Sequence, residues 1–493
     1  MSTENKDLGF IGLLKSFTQP FWIASIMELF ERWAWYGLFA VLALYLTGST
    51  DEGGLGFSHV ERGEIMSYVT FILYLLPLVT GAISDKIGYK LSLVIAYLLL
   101  GFGYFYMGKV TSYNAVFLMF LVVAVGAAIF KPVASAIVTK STDSRNSSFG
   151  FGVFYMMVNI GGFFGPLFSG KLREIYGWKI VFIMAATAIA INMLLVLLLF
   201  KEPNREKSTD GFGQAIIKSL KNIWEALSDM KLTLLLIIMV GFWLMFNQLF
   251  YTLPVFIEEW VDTKVLYDSL HNILPWVADF YKNSEGGINP EQVVNMDAFF
   301  IVIFQMLIST IILKWKPINA MMSGIFIAII GIALSFYTNN IFYTIIGILI
   351  FAIGEMTSNP KFSDYIAKIS PKGKEALYMG TYFLPIAIAN LLTKWITGDL
   401  YEKLSDKVFF IREELGKRNI ELPEITQDYS KNDFYAEAST KLGMGQDEMT
   451  KFIWDNYHPS RIWYVIAGIG LLTILGLFVY NAVIASKIKK AKA

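Results

Sequence analysis

Cysteine is missing from this 493-residue chain altogether. That excludes disulfides and thiolate chemistry, although it leaves the compartment open. Histidine is nearly missing: His59, His271 and His458 are scattered and show no metal-ligand spacing. Charge is scarce, 16% of residues against 55% hydrophobic, and it sums to only +1. Such a balance gives nucleic acid nothing to hold. No cofactor is expected, and with no nucleophile or metal constellation the chain does not read as an enzyme. With so little polar surface it is not a soluble globule; it must meet lipid.

What the sequence has in abundance is long apolar runs. A membrane helix needs roughly 20 such residues. Twelve stretches qualify, near 20–47, 61–84, 90–110, 114–139, 150–172, 178–200, 231–257, 292–314, 318–338, 341–369, 375–400 and 461–485. Lys and Arg gather in DKIGYK (85–90), TKSTDSR (139–145), KEPNREK (201–207), LKWKP (313–317), KISPKGK (368–374) and KIKKAKA (487–493). In this count all of these lie on one side, which is the cytoplasmic side by the positive-inside rule.

The expected organisation is an all-α membrane protein of two six-helix bundles. Residues 1–19 form a cytoplasmic lead, not a signal peptide, followed by a first bundle over 20–200. A cytoplasmic linker, 201–230, is polar at first and then amphipathic, and a second bundle spans 231–486 before a short tail, 487–493. Two equal bundles of this kind suggest a transporter. External loops at 258–291 and 401–460 are read as solvated ornaments.

Charges inside the apolar spans demand a reason. In MELFERWAWYG (27–37), Glu28, Glu31, Arg32, Trp35 and then Phe39 fall on one helical stripe. A charge at mid-bilayer costs about 2.5–3.5 kcal/mol on insertion scales, so these should face a wet internal cavity. Two acids beside one Arg leave a surplus negative charge that one proton would cancel. Lys131 lies in the first half and Glu355 in the second. A cavity between the halves would therefore carry a cation on one wall and an acid on the other. That suits a zwitterion, and it permits a gate-closing Lys131 to Glu355 pair when the site is empty. Aromatics interleave these positions: Trp35, Tyr36, Tyr74, Tyr155, Trp243 and Tyr382.

GAISDKIGYK (81–90), with Asp85 and Lys86, resembles the loop signature of the major facilitator superfamily. ELFERWAWYG, AIFKPVAS, DSRNSSFGFGVFYMMVNIGGFFGPL, FWLMFNQ, FAIGEMTSNP and MGTYFL resemble segments of the proton-dependent oligopeptide transporter family, over about residues 20–400. The resemblance implies import of di- and tripeptides with protons across a bacterial inner membrane, by rocking of the two bundles. It implies proton coupling at Glu28, Glu31 and Arg32. It implies substrate binding at Arg32, Tyr36, Tyr74, Lys131, Tyr155, Asn159, Trp243, Asn247, Asp297 and Glu355, and gating at Asp85, Lys86, Lys131 and Glu355. The expected partners are a small peptide or similar zwitterion, protons and the lipid bilayer, with the chain acting as a monomer.

The chain departs from the family pattern at several points. Phe39 stands where many members carry a second arginine, Asn247 where they carry an acid tied to gating, Trp35 for a tyrosine, Val133 for an asparagine and Tyr382 for a tryptophan. The linker is too short for two extra helices found in many bacterial members. Asp297, matched to a substrate-binding asparagine that Asn295 fits with a two-residue slip, is expected to take over the acidic role vacated at Asn247. Other cargo therefore stays open: an amino-acid derivative, nitrate or another small anion. So does a different class, a nutrient receptor or scaffold.

Overall fold

A computed structural model describes residues 10–143, 146–202, 212–371, 374–426 and 428–492. The expectations for 1–9 of the lead, 203–211 of the linker and residue 493 of the tail lie outside them. The described chain is built of helices, joined by loops that hold two isolated bridges.

Helices stand at each of the twelve places where the apolar runs predict a span. In the first half these are α1 Gln19–Thr47, α2 His59–Leu75 with α3 Pro77–Ile87, α4 Tyr89–Met107, α5 Tyr113–Lys140, α6 Ser147–Tyr176 and α7 Lys179–Leu194. The linker forms α8, Phe212–Leu227. The second half holds α9 Met230–Tyr251, continued by α10 Leu253–Trp260, then α11 Met296–Ile312, α12 Pro317–Tyr337 and α13 Ile341–Ile369. It ends with α14 Phe383–Lys394 and α15 Ile462–Lys492.

Nine of the described helices are long and apolar enough to cross a membrane, and α2 with α3 makes a tenth span bent by 48°. The remaining two places explain themselves. In α1 the apolar run is interrupted by Glu28, Glu31 and Arg32. The eleventh place is divided into Glu375–Gly380, α14 and a π-helical stretch Trp395–Leu400.

Close helix approach in α1 against α6 depends on small residues, as is usual where apolar lipid provides no drive for association. A Cβ on Gly161 would lie 2.5 Å from the Leu29 carbonyl oxygen and 2.8 Å from Arg32 Cβ. Gly161→Ala should therefore push α6 away from the charged stripe of α1. We expect a loss of about 1–3 kcal/mol, read as a lowered unfolding temperature in detergent. An unchanged temperature would mean that the two helices are not held at this distance.

One expectation is overturned here. The 401–460 loop is not a solvated ornament. It folds into helices Lys407–Lys417, Lys431–Leu442 and Gln446–Tyr457, which bury Phe410, Ile411, Phe434, Met449 and Ile453. Apolar residues at helical spacing within a polar composition join this segment to the core of the bundle.

Candidate functional site

Between the two halves lies a cavity of about 1210 Å³. Arg32, Tyr36, Tyr74, Lys131, Tyr155 and Asn159 reach it from the first half, and Trp243, Asn247, Asp297 and Glu355 from the second. Ser219, Asn222 and Ile223 of the linker helix also line it, so the cavity extends to the linker side of the molecule.

The α1 charges are arranged in depth. Glu28 and Arg32 line the cavity, whereas Glu31 is fully buried and does not. The expectation that all three share one cavity-facing stripe is corrected by helix geometry. At 100° per residue Glu31 sits about 60° from Glu28, away from Arg32, and its carboxylate turns into the packed interior. Arg32 lies between the two acids. Its Nε donates to Glu31 Oε2 at 2.5 Å and stands 3.4 Å from Glu28 Oε1, and its guanidinium lies 5.6 Å from the Tyr36 ring centroid.

Lys131 sits one residue before Pro132 inside α5. Proline has no N–H, so the carbonyl of Ala128, four residues earlier, loses its helical donor. The Thr80 hydroxyl of α3 supplies one instead, at 2.6 Å. Lys131 Nζ lies 4.3 Å from the Tyr74 ring centroid. The expected pairing of Lys131 with Glu355 is not formed in this conformation. The cavity stands open between them, and Glu355 Oε2 is buried without a hydrogen-bond partner.

The departures from the family pattern fall into place physically. Phe39 stacks on Trp35 with centroids 5.2 Å apart and meets Tyr251 edge-on at 5.3 Å, making an apolar wall. Asn247 donates to Asn390 Oδ1 at 3.3 Å and Thr393 Oγ1 at 3.1 Å, while the Tyr251 hydroxyl donates to Asn390 Oδ1 at 2.6 Å. This is a neutral network. Val133 is buried and does not line the cavity. The Tyr382 hydroxyl donates to Asn359 at 2.7 Å. Asp85 and Lys86 lie at the end of α3, away from the cavity, where Asp85 accepts from the Tyr89 hydroxyl at 2.9 Å.

Sequence reasoning missed the far side, opposite the linker. There the halves are joined by a buried polar cluster. His59 Nε2 lies 3.4 Å from both Glu259 Oε1 and Asp406 Oδ1. Lys431 Nζ lies 3.0 Å from Glu259 Oε1, and the Tyr401 hydroxyl donates to Glu259 Oε2 at 2.9 Å. The fully buried Arg62 bonds the Thr397 carbonyl and lies 2.9 Å from Thr397 Oγ1. His59, Glu259 and Asp406 thus group as metal ligands do, which their wide separation along the chain concealed. The Lys431 ammonium already supplies a cation there. Further cross-half contacts extend this seal: Arg173 with Glu291 at 3.3 Å, Asn295 donating to the Phe163 carbonyl at 3.2 Å, and Asn432 donating to Glu52 at 2.7 Å. The cavity is therefore closed on the far side and accessible from the linker side.

The sequence pattern of the Major Facilitator Superfamily matches residues 21–393. An uncharacterized transporter YclF of Bacillus subtilis (strain 168) is 23% identical over 451 residues, covering 81% of this chain and 89% of that protein. Dipeptide and tripeptide permease A of Escherichia coli (strain K12) is 24% identical over 460 residues, covering 81% and 88%. Among solved structures, a POT family transporter in complex with 5-aminolevulinic acid superposes with a TM-score of 0.67 at 17% identity, covering 96% of this chain and 97% of that one.

Proposed function

We propose that this chain, which belongs to the Major Facilitator Superfamily, is within it a proton-dependent oligopeptide transporter that imports short peptides together with protons. The membrane of this reading is the bacterial inner membrane, with the linker and both termini cytoplasmic and the molecule working as a monomer. The far side is then the outside, and the conformation described is the inward-open one.

The observation that carries the reading is the charge arrangement of the cavity. Arg32 and Lys131 stand on the first-half wall and Glu355 on the second-half wall, with aromatic residues between them. A peptide presents a carboxylate at one end and an ammonium at the other. Its carboxylate pairs with Lys131 and Arg32, and its ammonium with Glu355. A proton reaching Glu28 or Glu31 cancels the surplus charge of the α1 cluster and frees Arg32 for the substrate. Pairing of Lys131 with Glu355 belongs to the stage at which the emptied cavity narrows. Asp85 and Lys86 act at the linker-side ends of the helices during rocking. Each charge moved across 100 mV is worth about 2.3 kcal/mol, which sets the available driving force.

A second cargo is favoured by one observation. Phe39 leaves the first-half wall with fewer cations than many peptide carriers have, and a fold neighbour holds 5-aminolevulinic acid. A single amino-acid derivative would fill the same two ends. The test is uptake of labelled alanylalanine into proteoliposomes with a proton gradient imposed or collapsed. Accumulation that vanishes on collapse is expected. Accumulation without a gradient removes the proton from the reading. Uptake of 5-aminolevulinic acid in place of the dipeptide would select the second cargo. The absence of counterflow for either would leave a receptor or scaffold.

A further inference from the structure

The second-half wall carries more carboxyl groups than one ammonium group requires. Asp297 begins α11 and lines the same cavity as Glu355. It is 3% exposed, and its Oδ1 is buried with no hydrogen-bond partner. Glu355 Oε2 is in the same situation. Among the described residues Asp297 is the charged group that bears on Glu355, and the two line one cavity. The other titratable groups that feel Glu355 are the phenols Tyr155 and Tyr382. The remaining carboxylate at that end of the wall, Glu291, is already matched by Arg173. Lys131, across the cavity, is engaged with the Tyr74 ring.

A buried carboxylate without a partner is strongly disfavoured, and two on one wall more so. Something arriving from the cavity must compensate them. Asn247 sits in its own neutral network with Asn390 and Thr393. The extra acid of this chain therefore acts with Glu355, not at the position of the missing seventh-span acid.

We propose that Asp297 and Glu355 form a two-carboxylate receptor that selects substrates with two positive centres at the amino end, such as a peptide whose first residue is basic. This rests on the peptide reading above and sharpens it. Glu355 takes the α-ammonium, and Asp297 takes the second cation. A substrate with a single ammonium leaves Asp297 to be neutralised by a proton.

The experiment measures competition against labelled alanylalanine in proteoliposomes by lysylalanine, alanyllysine and unlabelled alanylalanine. Lysylalanine should compete about tenfold better than alanyllysine, the scale of one close charge contact in a partly wet site. Asp297→Asn should bring that ratio to about one. Asp297→Glu should keep the preference. A wild type that does not distinguish lysylalanine from alanyllysine overturns the proposal, as does an Asp297→Asn variant that keeps the preference or weakens all three peptides equally. If alanylalanine is not carried at all, the peptide reading fails, and the receptor is tested by itself. Five-carbon diamine should then raise the unfolding temperature more than the matching monoamine, and Asp297→Asn should erase the difference. Equal shifts for the two amines in the wild type would overturn the receptor.

Discussion

Arg32→Gln is expected to abolish gradient-driven uptake, by about 100-fold or more, and to lower stability by about 3–5 kcal/mol. The two effects have separable causes. Among the described residues Arg32 is the only cation bonded to Glu31, which is fully buried, and it also pairs with Glu28. Removing it leaves Glu31 uncompensated in the packed interior and Glu28 uncompensated on the cavity wall. A compensating Arg32→Gln, Glu31→Gln double variant should recover most of the lost stability, because the buried acid closest to the vacancy is neutral. It should not recover uptake, because no guanidinium remains for the substrate carboxylate or for exchange with an arriving proton. Thermal unfolding and uptake, measured on the wild type, on each single variant including Glu31→Gln, and on the double, give the coupling directly. An Arg32→Gln single variant as stable as wild type would show that water already solvates the cluster. A double variant that transports would move the coupling site elsewhere.

The spans and the cavity walls were legible in the sequence for one physical reason. Lipid tolerates neither charge nor unsatisfied backbone, so apolar length and stray charges carry position directly. Lys131, Glu355 and Asp297 stood out against runs of Leu, Ile and Phe, and all three line one cavity. Glu31 shows the limit of that argument. Periodicity placed it on the stripe, but whether a carboxylate 60° off the centre faces water or protein depends on the neighbouring helix. The neutral network at Asn247 was invisible, since Asn390 and Thr393 are 143 and 146 residues away and polar amides in apolar spans give little signal. The far-side cluster was hidden more deeply. His59, Glu259, Asp406 and Lys431 sit in segments whose polarity looks like ordinary loop composition. Only the packing of the 401–460 helices over the mouth of the molecule makes them one buried group.

That cluster gives the second large effect. Glu259→Ala should open the far side. One carboxylate takes Lys431 on one oxygen and Tyr401 on the other, and it faces His59 from the opposite half. Truncation leaves the Lys431 ammonium buried and without its carboxylate and removes one of the two carboxylates that meet His59 across the halves, a loss of about 3–5 kcal/mol for a broken buried pair. A change of that size moves a two-state equilibrium by more than about 100-fold, enough to turn a closed far side into a largely open one. The absence of native cysteine makes the measurement clean. Spin labels on Lys109→Cys in the first half and Glu448→Cys in the far-side helices should report a single distance in the wild type. A second, longer distance should dominate in Glu259→Ala. Acid should not mimic the mutation through this residue. Burial alone would raise the Glu259 carboxyl, but the Lys431 ammonium and the His59 contact outweigh it and hold it well below the usual carboxylate range. A depressed carboxyl contributes its full stabilisation above its unfolded value, near 4.5, and loses it only as pH falls through the folded value. The Glu259 to Lys431 pair therefore stays charged at pH 5 as at pH 8. A far side that opens in the wild type between those two pH values would show that some other group, and not Glu259, holds the halves together.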